Sequence, residues 1–149
     1  MNASIVRQAT LADLEALVSL FDSYRQFYGR ESDAGAAREF LLARFSLRDS
    51  VLFIALDGSL PIGFAQLYPS FSSVSLARTF ILNDLFVQEY ARRKGVASKL
   101  ISVAVEFSKA SGAIRVSLST AIDNESAQAL YDSAGWKKDE QFIVFHFFV

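Results

Sequence analysis

Leu82-Asn83-Asp84-Leu85-Phe86-Val87 runs directly into Gln88-Glu89-Tyr90-Ala91-Arg92-Arg93-Lys94-Gly95-Val96-Ala97. The first part reads as a strand, the polar middle as a turn, and Gly95 onward as a helix start. Val96, Leu100, Val103, Ala104 and Phe107 then share one helical face until Gly112 ends the pattern. A helix start presents unpaired backbone N–H groups and the positive end of its dipole, which together attract an anion. Gly95 removes a side chain where a phosphate must approach the backbone, and Ala97 is small to the same effect. Arg92, Arg93 and Lys94 add three cations, which are unfavourable at a helix N-terminus unless an anion is bound. A pyrophosphate suits such a site. Neither G-x-x-x-x-G-K-[ST] nor G-x-G-x-x-G occurs, so this is not a nucleotide or dinucleotide loop of those kinds. Taken alone, these residues fit either an anion site or a solvated cationic turn.

Upstream, Ser4 to Ala9 is strand-like. Thr10 and Asp13 stand in capping-box positions before a helix predicted over Leu11–Tyr28, with Gly29 as its stop. A second helix is predicted over Ala36–Leu47. Val51–Leu56 and Leu60–Tyr68 read as strands around an Asp57-Gly58 hairpin turn. Pro69–Ser75 reads as a loop or bent strand end, and Leu76–Val87 as a long strand. Downstream, Ile114–Ser119 is a strand and Asn124–Ala134 a helix stopped by Gly135. Trp136, then Gln141–Val149, closes the chain as strand. The order β-α-α-β-β-β-α-β-α-β implies an α/β fold with a mixed sheet, in one domain over 1–149.

The chain has 149 residues, over half of them apolar, and fourteen are Phe, which excludes a disordered tail. A net charge of −1 argues against a general nucleic-acid binder. Without Cys there are no disulfides, no Cys-ligated metal and no Cys acyl-enzyme. No signal-like core and no bilayer-length apolar run occur, so a soluble, cytoplasmic protein is expected. Ligand-type residues do not cluster, so no metal is expected.

Arg92-x-x-Gly95-x-Ala97 resembles the (Arg/Gln)-x-x-Gly-x-(Gly/Ala) signature of the GNAT superfamily of N-acetyltransferases. Asp84-Leu85-Phe86-Val87 resembles that superfamily's fourth strand, especially in its diamine-acetyltransferase-like branch. Asn124-Glu125-Ser126-Ala127 through Leu130-Tyr131 to Ala134-Gly135-Trp136 is similar to its second conserved block. The resemblance spans essentially the whole chain. It implies a mixed, mostly antiparallel sheet that splays between strands 4 and 5 and is flanked by four helices. It also implies acetyl-CoA as co-substrate and direct transfer to a primary amine of a small molecule, of polyamine or amino-acid type. Backbone groups of Leu85, Phe86 and Val87 would pair with the pantetheine arm, as an added strand does. The N–H groups of Arg93, Lys94, Gly95, Val96, Ala97 and Ser98 would hold the pyrophosphate, with Arg92 nearby. Asn124 and Ala127 would complete the coenzyme contacts, and Asn124 would also cap its helix.

Tyr131 matches the superfamily's general acid, a phenol placed to protonate the leaving sulfur; the plainer reading is core packing. The base is less legible. The diamine branch places Glu before Asp-Leu-Phe-Val, whereas this chain has Asn83, which cannot serve as a base. Asp84 is the substrate-side carboxylate, although strand alternation sets it on the opposite face from Asn83. Glu89 on the turn and a water held by Asn83 are the other candidates. Tyr24, Tyr28, Tyr68, Ser70 and Asn83 are substrate candidates, and Tyr24 and Tyr28 share a helix face able to wall an amine. Asp22, Glu31 and Asp33 would favour a polyamine if they face the site. His146, the only His, reads as packing. Gln141–Val149 is apolar on both faces, so a central strand or a homodimer interface is expected. Peptide N-acetylation and a non-catalytic CoA-binding module are the competing functions.

Overall fold

The computed structural model describes residues 4–149. It forms two compact units, Met1–Leu118 and Ser119–Val149. In the first, five strands lie in the order β1 (Ser4–Gln8), β2 (Val51–Asp57), β3 (Leu60–Ser72), β4 (Ala77–Val87) and β5 (Val116–Ser117). The first three pairings are antiparallel and β4–β5 is parallel, giving the expected mixed sheet. β5 pairs with β4 only at Phe80–Val116 and Ile81–Ser117. From Leu82 onward that edge of β4 has no ladder partner among the described residues, which is the predicted splay.

α1 (Leu14–Phe27) and α2 (Ala34–Leu47) cover one face of the sheet. Leu17, Val18, Leu20 and Phe21 of α1 and Leu41 of α2 pack on Leu52, Ile54, Phe64 and Phe86. α3 (Val96–Ala110) covers the other face, where Phe107 meets Phe53 and Phe80 with ring centroids 5.6 and 6.0 Å apart. A short 3-10 turn, Leu11–Asp13, precedes α1. There the Asp13 carboxylate accepts the Thr10 N–H at 2.8 Å, so the capping position anticipated for Asp13 is used.

Beyond the shortening of β5 from the expected Ile114–Ser119 to Val116–Ser117, the strands of this sheet depart from the sequence expectation in two places. β3 continues through Pro69 to Ser72 instead of ending at Tyr68. β2 stops pairing with it at Val51–Leu67, so the missing N–H of Pro69 leaves no ladder bond unmade on that edge. The second departure is a bulge. Gln66 pairs with Asp84 and Leu67 with Leu82, which leaves Asn83 without a partner across the ladder.

The second unit holds α4 (Glu125–Ser133). Asn124 caps it as expected, its side-chain oxygen accepting the Ala127 N–H at 3.2 Å. The predicted terminal strand is not formed: residues 136–149 make no ladder, and Phe142, Phe145, Phe147 and Phe148 are exposed. A strand exists through its hydrogen-bond partners, and this unit contains no second extended segment to supply them. Instead Asp139 turns the chain locally, its Oδ1 accepting the N–H groups of Gln141 and Phe142 at 2.9 and 3.3 Å. His146 lies beside Phe148, ring centroids 6.1 Å apart.

Candidate active site

The bulge at Asn83 corrects the alternation argument. An inserted residue shifts the side-chain parity, so Asn83 and Asp84 reach the same cavity instead of opposite faces. The Asn83 Nδ2 donates to Asp84 Oδ1 at 3.1 Å. Gln66 Nε2 donates to Asp84 Oδ2 at 2.8 Å from the fully buried middle of β3. Asp84 is thus a buried carboxylate gripped on both oxygens. Gln66 was not anticipated; a lone amide within the apolar run Ile62–Leu67 is the signal that marks it.

The cavity has a volume of about 300 Å³ and lies between the C-terminal part of α1, α2 and the bulged strand. Phe21, Tyr24, Tyr28, Phe40 and Tyr68 supply its aromatic wall, Asn83 and Asp84 its polar floor, and Arg25 and Arg30 two cations. Tyr24 and Tyr28 meet edge to face at 5.2 Å, as their four-residue spacing implied. Tyr24 also packs on Phe64 and Phe86, so the wall and the core are one aromatic cluster. Burial, and then the charge of Asp84, pushes the Tyr24 phenol well above its usual range. The same two causes push the Tyr68 phenol up to about 12. Both hydroxyls therefore keep their protons at neutral pH and stay hydrogen-bond donors beside the carboxylate.

Asp22 does not face this cavity as a free acid. It is buried and accepts from Ser32 Oγ at 2.6 Å and the Asp33 N–H at 2.8 Å, which hold its carboxyl below the usual range. Its work is to tie the end of α1 to the start of α2. Asp33 caps α2, accepting the Ala36 N–H at 3.0 Å. Neither they nor Glu31 and Ser70 line the cavity. The acidic wall imagined for a polyamine is absent among its lining residues, and two arginines stand there instead.

Beyond Val87, a 3-10 turn over Glu89–Ala91 leads to the cationic loop. Arg93 and Gly95 both adopt left-handed backbone, φ 63° and 79°. Gly95 is the N-cap of α3 and has no capping side chain. Among the described residues, no N–H from Arg93 to Ser98 donates to a protein acceptor. A row of free donors at a helix N-terminus, with exposed Arg93 and Lys94 beside it, can grip a phosphate. Arg92 behaves differently from its neighbours. Its Nε donates to the Val87 carbonyl at 2.8 Å, and its guanidinium lies over the rings of Phe27 and Phe86 at 5.2 and 5.7 Å. Arg92 therefore braces the strand end against α1 and is not turned out toward an anion.

Gly63 was also missed, although an isolated Gly in a strand signals close backbone approach. A Cβ there would stand 2.8 Å from the Phe86 carbonyl oxygen and 3.3 Å from Leu100 Cδ1. In the second unit Tyr131 is half-buried on α4, its ring 5.9 Å from Trp136. The Trp136 N–H closes the helix end onto the Tyr131 carbonyl at 3.0 Å.

Residues 16–136 match the model of the acetyltransferase (GNAT) family. The chain belongs to that family. An N-acetyltransferase of Bacillus subtilis, YhfO, is 44% identical over 138 residues, 93% of each chain. A crystal structure of a probable acetyltransferase superposes with a TM-score of 0.92 at 42% identity, covering 97% of both chains. More distant in sequence, an aminoglycoside N-acetyltransferase crystallised with CoA shares the fold at a TM-score of 0.80 and 22% identity, over 98% of this chain and 95% of its own. The GNAT protein described here is accordingly an acetyltransferase. No described helix of this enzyme is long and apolar enough to cross a membrane.

Proposed function

We propose that this enzyme transfers the acetyl group of acetyl-CoA directly to the primary amine of a small molecule, with the amine seated against Asp84. The observation that carries the reading is the buried Asp84 carboxylate, held by Gln66 and Asn83 at the floor of a small aromatic cavity. A cavity of about 300 Å³ is at the small end of ligand pockets, which favours a small acceptor over a protein chain.

Acetyl-CoA supplies an acyl carbon activated as a thioester. The N–H groups of Arg93 to Ser98 would hold its pyrophosphate, and the free edge of β4 at Leu85, Phe86 and Val87 would receive its pantetheine arm. Asn124 and Ala127 already bond to each other at the α4 start, so any contact of theirs with coenzyme is made from a fixed geometry. Arg92 would act by positioning Val87, not by touching phosphate. The amine nitrogen bonds to the acyl carbon, the carbon–sulfur bond breaks, and the electron pair stays on sulfur. Asp84 takes the proton lost from nitrogen, directly or through one water. Tyr131 donates its phenolic proton, or a hydrogen bond, to the sulfur. Tyr24, Tyr28 and Tyr68 orient the acceptor, and Asn83 fixes the carboxylate where the diamine branch would itself place an acid.

Tyr131→Phe tests the acid. A thiolate is a good leaving group, so loss of one donor should lower kcat about tenfold, the worth of one hydrogen bond to a charged group. Thiol release under saturating acetyl-CoA measures it, and an unchanged kcat removes Tyr131 from the mechanism. We also propose a homodimer in the cytoplasm, supported by the exposed apolar side chains of residues 142–149. Sedimentation equilibrium at micromolar protein should give twice the chain mass; a single-chain mass contradicts it.

A further inference from the structure

Resting on the acyl-transfer reading above, we infer that the acceptor is an amino acid or short peptide whose free carboxylate is read by Arg25 and Arg30. The two arginines are five residues apart and reach one cavity because of how α1 ends. The Gly29 N–H donates to the Gln26 carbonyl at 2.9 Å and the Arg30 N–H reaches back to the Arg25 carbonyl at 3.0 Å. Gly29 takes left-handed backbone, φ 84°, to allow this closure. Both residues then line the cavity whose floor is Asp84.

Among the described residues, neither guanidinium makes a salt bridge; Arg25 acts on the Asp22 carboxylate only through space, while Ser32 and the Asp33 N–H hold that carboxylate directly. The guanidinium fork of donors matches a carboxylate and is left for a ligand. The cavity is therefore dipolar, with a buried acid at one place and two cations at another. An acceptor with an amine and a carboxylate complements both. A diamine complements only Asp84 and brings its second ammonium to two like charges, while a simple monoamine leaves the arginines unused. This separates the enzyme's acceptor from that of the diamine branch, which its Asp84-Leu85-Phe86-Val87 string resembles.

The test uses the twenty amino acids and a set of di- and tripeptides, each with its carboxamide, and the diamines putrescine and spermidine. Thiol release from acetyl-CoA gives kcat and KM, and calorimetry in the presence of CoA gives acceptor Kd without turnover. The free acid should be favoured over its carboxamide by at least about tenfold in KM and Kd, as bidentate charged hydrogen bonds imply. In Arg25→Gln/Arg30→Gln, checked for folding by its melting temperature, the acid-to-amide ratio should collapse toward one. Equal use of acid and amide by the unmodified enzyme, or preference for a diamine, overturns the inference and leaves the transferase reading standing. A double variant whose loss lies in the KM for acetyl-CoA assigns the arginines to coenzyme phosphate and also overturns it. No thiol release with any acceptor overturns the proposed transfer itself.

Discussion

Asp84→Asn should leave a protein at least as stable as the parent that transfers acetyl groups about 100-fold more slowly, the lower end of what a general base contributes. The two effects have one cause. Asp84 is buried and, among the described residues, has no cationic partner in an ion pair, so folding takes its carboxylate out of water. Asparagine has nearly the same shape and carries no charge to desolvate. The new amide oxygen can keep the bond from Asn83 Nδ2, and with the Gln66 amide turned over the new NH2 donates to the Gln66 side-chain oxygen, which among the described residues lacks a partner in the native protein. Stability and activity should therefore move in opposite directions, as happens where function requires a costly group. The phenols offer a readout independent of turnover. Tyr68 is raised to about 12 by burial first and by Asp84 second, so removing that charge should lower its pKa without returning it fully to the free value. Ultraviolet titration of phenolate detects this shift. A variant of undiminished kcat/KM would remove Asp84 from the chemistry.

Gly63→Ala should cost about 1–3 kcal/mol of folding stability and weaken CoA binding at the same time. The added carbon meets backbone, the Phe86 carbonyl oxygen at 2.8 Å and the Val87 Cα at 3.4 Å, so no side-chain rotation relieves it. Either β3 and β4 separate at Gly63–Val87, or the end of β4 tilts. That end is the segment proposed to receive the pantetheine arm, and Arg92 is anchored on it through the Val87 carbonyl. A urea midpoint shift together with a raised Kd for CoA would show the coupling. A destabilised variant of unchanged CoA affinity would separate the strand end from the coenzyme site.

The cationic turn before α3 was legible because its signals are local. A strand, cations, Gly95 and an amphipathic helix follow one another within one short stretch, and each stands where the sequence placed it. The splay beside β4 was legible only through the resemblance, since pairing lengths are not written in one strand. The bulge at Asn83 was hidden for the same reason: register belongs to two strands, and alternation within one of them gives the wrong face. Arg25 and Arg30 escaped notice because only the closure of α1 at Gly29 brings both to one cavity. Asp22 looked like a free acid in sequence, and its partners Ser32 and the Asp33 N–H lie across a loop. Gln141–Val149 has the composition of a buried strand, but composition does not supply a ladder partner.

Amide NMR of the 15N-labelled protein during titration with CoA tests the central claim most directly, because it reads each donor separately. Binding at the proposed site predicts saturable shifts at Arg93 through Ser98 and at Leu85, Phe86 and Val87, fitting one Kd. Saturation with those amides unmoved, and the shifts gathered elsewhere on the fold, would contradict it.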